Sequence, residues 1–350
     1  MADRESKQLS KTSERGRAIQ EFVNRFANCE DRELLEDMLV TVCRLASDGT
    51  GRGELKILSK AMAELRYAFK VFAPYSEVRK VSMFGSARTP VDHPNYIQAD
   101  RFARRMREQH WMVITGAGDG IMRAGHVGAG REGSFGVAIR LPFEQVTNPI
   151  IANDAKLINF KYFFTRKLIF LKEASAVALF PGGFGTQDEG FEALTLVQTG
   201  KNQLIPIVMI DAPGGTYWSR WRDYVTSELL VKGMISPEDM NLLRLTDDVE
   251  TAVQEVVRFY RVYHSSRYVR NLLVVRLNEP LSEARIEKLN DEFKHIITAG
   301  KIEPHPGPVE GEDGDYPDKP RLAFHFDRKS VGYLRLMIDE INEAGRPPAL

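Results

Sequence analysis

Pro181-Gly182-Gly183-Phe184-Gly185-Thr186-Gln187-Asp188-Glu189 follows directly on the apolar run Ala176-Val177-Ala178-Leu179-Phe180 and leads into an amphipathic run over residues 191–198. The order strand, glycine loop, helix is the joint from which α/β sheets are built. Such a loop turns free backbone N–H groups and the positive end of a helix dipole toward one point, which suits an anionic oxygen such as a phosphate. Glycines let the main chain approach that anion without a side chain in between. Glu189, one turn into the helix, puts a carboxylate beside whatever the phosphate is attached to.

The same joint recurs on either side. Strands are expected at 81–84, 111–115, 135–141, 176–180, 204–210 and 243–245, and helices at 96–109, 121–129, 159–173, 217–232 and 247–263. This alternation predicts a Rossmann-like parallel sheet with helices on both faces. Ligands bind such sheets at the carboxyl ends of the strands. Three glycine-bearing loops follow strands: Gly85-Ser86, Gly116-Ala117-Gly118-Asp119-Gly120, and 181–186. Upstream, residues 1–14 are polar and read as a disordered tail. Residues 15–77 form an N-terminal helical region, with apolar residues at helical spacing and a break at 48–51. The domain bearing the glycine loops spans 78–264. Residues 265–350 read as a small α/β unit, strand 272–277, helix 281–298, loop 303–320, strand 321–326 and helix 331–344. With so small a core of its own, this unit is expected to pack on the main domain or a second subunit.

Composition narrows the function class. The chain has 350 residues, 43% apolar and 27% charged, as in ordinary globular proteins. Lys plus Arg and Asp plus Glu both total 48, so no global charge draws the chain to nucleic acid or a membrane surface. No apolar run approaches the length of a membrane span, and the polar first seventeen residues do not read as a secretory signal. Two cysteines, Cys29 and Cys43, point to a reducing compartment, and thus the cytoplasm, and read as buried core thiols. The seven histidines are scattered without ligand spacing, so no metal is expected. No cofactor is expected either: a pyridoxal phosphate decarboxylase needs a Schiff-base lysine with defined partners, and nothing points to one.

Three readings of the glycine loop compete. A P-loop is excluded, because Thr186 is not preceded by Lys. A Rossmann dinucleotide fingerprint does not fit the spacing Gly116-x-Gly118-x-Gly120, which follows the second strand instead of the first. A plain turn without a ligand does not account for Pro, three glycines, a hydroxyl and a carboxylate within nine residues. Residues 181–189 resemble the P-G-G-x-G-T-x-x-E motif of the LOG (Lonely Guy) family, long labelled lysine decarboxylases, whose members act as nucleoside 5′-monophosphate phosphoribohydrolases. Arg166-Lys167 is similar to the Arg-Lys pair on that family's preceding helix. Phe84-Gly85-Ser86 and Gly116 to Met122 are similar to its first two nucleotide-binding loops. The similarity covers roughly residues 78–262.

The resemblance implies hydrolysis of the N-glycosidic bond of a purine nucleoside 5′-monophosphate, AMP or an N6-prenylated AMP, in a homodimer or higher homo-oligomer. It assigns catalysis to Glu189 and Arg166. Nucleotide and phosphate binding fall to Gly85, Ser86, Gly116, Gly118, Gly182, Gly183, Gly185 and Thr186. The residue chemistry agrees: cleavage puts positive charge on C1′ and the ring oxygen, and a carboxylate under the ring stabilises it or attacks C1′. Its place in the first helical turn is expected to keep Glu189 ionised. By spacing alone Arg166 reads as a snorkelling surface residue in preference to a placed fork for a phosphate or carboxylate, and the resemblance reverses this. Lys167 reads as structural or peripheral, and Glu192 as a helix-surface charge. Asp188 is expected to serve the helix N-terminus, and Asp119 to touch the nucleotide. Tyr217, Trp218 and Trp221 read as packing residues. The alternative function is a regulatory protein that binds a mononucleotide without cleaving it.

Overall fold

The computed structural model describes residues 13–27, 29–141, 147–312 and 314–343. They fall into two compact units, one ending at Glu64 and one beginning at Leu65. The first unit holds helices α1 (Glu14–Phe26), α2 (Arg32–Ser47) and the greater part of α3 (Arg52–Phe72). Ser13 caps α1, its hydroxyl accepting the Gly16 N–H at 3.0 Å, which satisfies one of the four donors a helix start leaves unpaired. Ile19 and Val23, one helical turn apart, are buried. Neither cysteine is the core thiol that the sequence predicts. Cys29 lies between α1 and α2 and is exposed, Cys43 is partly buried in α2, and both are free.

The second unit is built on a seven-stranded sheet, all of whose pairings are parallel, in the order β4-β3-β2-β1-β5-β6-β7. The strands are β1 (Lys80–Phe84), β2 (Met112–Thr115), β3 (Ser134–Ile139), β4 (Leu157–Phe160), β5 (Ala176–Leu179), β6 (Ile207–Ile210) and β7 (Leu243–Thr246). Crossover helices are α4 (Pro94–Glu108), α5 (Ile121–Ala129), α6 (Phe163–Lys172), α7 (Phe184–Gln198) and α8 (Tyr217–Tyr224), and α9 (Val249–Arg258) follows β7. In β5, Val177 and Leu179 join one core cluster while Ala176 and Ala178 join the other. Both faces are thus covered, which is why these strands read as unbroken apolar runs. The Rossmann-like α/β class expected from the sequence is the observed one.

The chain winds from β1 out to β4, then returns to place β5 on the other side of β1. That reversal opens a crevice between the loops following β1 and β5, where a doubly wound sheet binds its ligand.

A second sheet, antiparallel in the order β10-β11-β9-β8, comprises β8 (Tyr263–Val269), β9 (Leu272–Leu277), β10 (Ile297–His305) and β11 (Arg321–Phe326). Helices α10 (Glu283–Glu292) and α11 (Val331–Glu343) accompany it. Leu273, Val275, Phe324 and Met337 share a core cluster with Val177 and Ile207 of the parallel sheet, so this unit packs on the main domain. Asn342 clamps the joint: its side-chain oxygen accepts the N–H groups of Val262 and Tyr263 at 2.9 and 3.0 Å, and its amide donates to the Phe259 carbonyl at 2.7 Å.

Three strands depart from the expected pattern. β4 takes the start of a predicted helix, because the chain turns at Tyr162 before α6 begins. β8 and β10 fall where helix ends and loop are predicted. Both are edge strands, which half expose themselves and blur the alternation that marks a strand. The edge position also accommodates Pro304 within β10.

Candidate active site

The three glycine loops meet at the carboxyl ends of β1, β2 and β5. Ser86 ties them together through its backbone. Its N–H donates to the Pro181 carbonyl at 3.1 Å, and its carbonyl accepts the Ile121 N–H at 3.0 Å. Gly120 stands at φ +62°, and a Cβ there would lie 2.7 Å from the Ala87 carbonyl carbon and run into the Ser86 carbonyl. At Gly182 a Cβ would overlap the Thr186 side chain and come within 3.0 Å of the Ser86 nitrogen. Gly182→Ala is therefore expected to push the glycine loop off the Ser86 backbone. The measurement is the thermal midpoint, which should fall by several degrees as the overlap forces the loop to shift.

The remaining glycines divide by what fills the space beside them. At Gly85 the Ile121 side chain occupies it. At Gly116 the occupants are Met122 and the Arg166 guanidinium, each 2.6 Å from where a Cβ would be. Nothing lies within 4 Å of a Cβ at Gly183 or Gly185. These two therefore leave the backbone open, while Gly85 and Gly116 let other groups pack. Helix α7 starts earlier than its apolar pattern indicates, with Gly183 as its N-cap. Thr186 and Gln187 donate their N–H groups to the Gly183 carbonyl at 3.0 and 3.1 Å. The amides of Phe184 and Gly185, nearer the terminus, have no carbonyl within the helix to bond and are open to an anion.

Behind the loop, the Tyr217 hydroxyl donates to the Gly182 carbonyl and accepts from the Gln187 amide. Sequence reasoning took Tyr217 for packing, and helical spacing holds no signal for a hydroxyl that props a loop. The second loop has its own support. Asn148 donates from its backbone to the Ala117 carbonyl at 2.9 Å and from its side chain to the Gly118 carbonyl at 3.0 Å. His126 is fully buried, with Nε2 3.0 Å from both the Phe135 carbonyl and the Thr115 hydroxyl. A carbonyl can only accept, so Nε2 carries the proton, Nδ1 accepts from Asn148, and burial holds the ring neutral. Ala117 is kept at φ +64°, a strained value for a residue with a side chain. A single histidine without ligand spacing gave no hint of this network.

Arg166 lies in the first turn of α6 and is largely buried. Its Nε donates to the Val137 carbonyl at 2.9 Å, and its guanidinium carbon lies 5.0 Å from the Phe170 ring centre. Burial lowers its pKa and the nearby Glu189 charge raises it. It is thus not the snorkelling residue that spacing alone allowed. Lys167 bridges Asp188 at 2.8 Å and Glu192 at 2.6 Å, which gives all three a pairing role between α6 and α7. Asp119 is mostly exposed and 3.8 Å from Arg123.

Glu189 is 6% exposed, and its Oε2 has no hydrogen-bond partner among the described residues. Burial raises its pKa, Lys167 and Arg166 pull it back, and the balance leaves it pushed up to about 7. The sequence predicts an ionised carboxylate at a helix start. Desolvation outweighs the helix dipole, whose effect is confined to the first turn, and α7 begins at Phe184, so Glu189 lies beyond that turn. A buried carboxylate oxygen without a hydrogen-bond partner among the described residues, beside open amides and a guanidinium, marks this crevice as a candidate ligand site.

A glycine-loop α/β domain with this constellation is a nucleotide-site protein by class. Residues 118–256 match the family described as "Possible lysine decarboxylase". The matched stretch includes the P-G-G-x-G-T-x-x-E loop, in agreement with the resemblance of its motifs to the LOG family. No match to a curated protein was found. Among solved structures, the chain is similar to TM1055, a Northeast Structural Genomics Consortium target, at 22% identity over 51% of this chain and 97% of that one, with a TM-score of 0.36. It is also similar to the Moco carrier protein of Chlamydomonas reinhardtii, at 18% identity over 51% and 98% of the two chains, TM-score 0.34. A third likeness is to DNA processing protein A of Helicobacter pylori, at 14% identity over 51% and 80%, TM-score 0.34. None of the three bears on what this chain binds. Among the described residues no helix is long and apolar enough to cross a membrane, and no three His, Cys, Asp or Glu side chains are grouped to hold a metal ion.

Proposed function

We propose that the chain hydrolyses the N-glycosidic bond of a purine nucleoside 5′-monophosphate, AMP or N6-prenyl-AMP, with water, to free base and ribose 5-phosphate. The observation that carries this reading is the buried, unpartnered Oε2 of Glu189 one turn beyond the open loop. The 5′-phosphate docks on the amides at Gly183 to Gly185 and the Thr186 hydroxyl, and the ribose then lies over Glu189. As the bond to the base lengthens, positive charge on C1′ finds the Glu189 carboxylate in a site of low dielectric. The carboxylate stabilises that charge or takes C1′ covalently before water releases the sugar. Arg166 holds the carboxylate and the ribose hydroxyls in register. Water protonates the departing base.

The decarboxylase label does not suit the lysine that interacts with Glu189. Burial lowers the pKa of Lys167, but its bonds to Asp188 and Glu192 outweigh this and raise it. A Schiff-base lysine needs the opposite balance. The reading includes a homodimer or higher oligomer, to be checked by light scattering, and residence in the cytoplasm.

Incubation with AMP tests the proposal. Adenine and ribose 5-phosphate should appear in equal amounts. AMP that binds and is recovered intact would favour the regulatory alternative instead. The pH profile tests the role of Glu189. Its carboxylate must be ionised, so kcat/KM should fall about tenfold per pH unit below roughly 7. AMP's own phosphate titrates near 6, so the assignment requires a shift of the limb. Lys167→Met removes a charge that favours the Glu189 anion, and the limb should move to higher pH. A limb that stays in place assigns it to the substrate.

A further inference from the structure

A cavity of about 1120 Å³ lies between the parallel sheet's helices and the antiparallel sheet, and one end of it is formed by Arg79, His264, Arg276, Asn278, Asp315 and Tyr316. Charge at this end is unbalanced. Arg276 and Arg321 share the single carboxylate of Glu312, at 2.6 and 3.3 Å. Arg267 lies 3.9 Å from the largely exposed Asp315. Arg79 and Lys319 have no carboxylate partner among the described residues. Arg79 stacks on Tyr260, 3.5 Å from the ring centre, and donates to the His264 carbonyl at 3.3 Å; Lys319 donates to the Asn278 side chain at 2.9 Å. Arg79, which lines the cavity, and Lys319, bonded to the lining residue Asn278, thus bring positive charge to this end that no carboxylate among the described residues pairs with.

The cavity's other acidic side chains are matched elsewhere. Glu173 pairs with Lys172, Glu192 pairs with Lys167, and Glu77 lies beside Lys80. The surplus also registers on His264, whose pKa falls to about 4 through burial and then through Lys319, Arg79, Arg276 and Arg321. Stacking accounts for the face of the Arg79 guanidinium, and the His264 carbonyl takes one of the five N–H donors on its edge. Partly buried positive charge without a counter-charge is costly, and an arriving anion removes the cost.

We propose that this end of the cavity is a second anion site, separate from the glycine loop, that takes a small molecule bearing a pyrophosphate group. Guanidinium forks bind phosphate oxygens in pairs, and Tyr316 offers a ring face at the same end. Phe164 and Leu168 of α6 and Glu192 and Leu196 of α7 line the cavity's other wall. These are the helices that carry Arg166 and Glu189, so an occupant adjoins both supports of the first site. The proposal does not depend on the hydrolase reading, since binding is measured without turnover.

The test is calorimetric titration of the full chain with inorganic pyrophosphate, and with ADP to separate a nucleotide from the free anion. Binding should weaken about tenfold or more in Lys319→Gln, and likewise in Arg79→Gln. Gly183→Asp puts a carboxylate into the open space of the glycine loop, and in that variant pyrophosphate binding should persist. Circular dichroism verifies that each variant folds. Pyrophosphate binding equal in wild type and Lys319→Gln, or lost in Gly183→Asp, overturns the second site. Loss of base release with intact pyrophosphate binding would count against the hydrolase reading alone.

Discussion

Glu189→Gln is expected to lower base release from AMP on the order of 10³-fold or more while AMP still binds. The amide keeps the shape of the carboxyl group and removes the charge that faces C1′. The same substitution should make the protein more stable, in a pH-dependent way. Burial leaves the Glu189 pKa at about 7 in the folded chain, against 4.5 for an unhindered glutamate. The folded state therefore holds the proton more tightly than the unfolded state. Ionised Glu189 costs nothing below about pH 4.5, and its cost is fully felt above about pH 7. At roughly 1.36 kcal/mol per pKa unit the full cost is about 3 kcal/mol. Thermal melts of Glu189→Gln and wild type should coincide at pH 4 and separate by several degrees at pH 8, with the variant higher. Melts that coincide at both values would mean that the carboxylate is not destabilised in the folded chain, and the case for a prepared anion would weaken. A site that sacrifices stability for a charge without a partner is the usual trade at a catalytic centre.

Removing the 5′-phosphate is the second large effect. Adenosine presents the same glycosidic bond as AMP and leaves the open amides of the α7 start empty. The phosphate's contribution lies in placing the sugar, and a misplaced sugar loses the alignment that makes the step effectively unimolecular. The value of kcat/KM for adenosine should fall on the order of 10³-fold below that for AMP. Added inorganic phosphate should restore part of the rate by filling the loop. Equal rates on AMP and adenosine would leave the loop without a function in the reaction.

Much of the site was legible from a few residues because its chemistry is local in sequence. The loop amides, Thr186 and Glu189 all fall within nine residues, and a strand before them with a helix after them sets their geometry. The parallel sheet was legible for a similar reason, since strands buried on both faces read as unbroken apolar runs. What sequence reasoning missed depends on distant contacts. The Tyr217 hydroxyl lies 35 positions from the carbonyl it holds, and Asn148 is 30 positions from Gly118. The ionisation of Glu189 was misjudged because the helix start is visible in sequence whereas the depth of burial is not. Gly85 and Gly116 read as anion-facing glycines, yet Ile121 and Arg166 occupy the space beside them. The edge strands β8 and β10 were hidden by a half-exposed, irregular pattern.

The most direct test is a crystal structure of the Glu189→Gln chain soaked with AMP. The expected result has the phosphate on the amides of Gly183 to Gly185 and C1′ within about 3.5 Å of the residue 189 side chain. AMP seated away from the loop, or bound with its ribose turned from residue 189, would contradict the account.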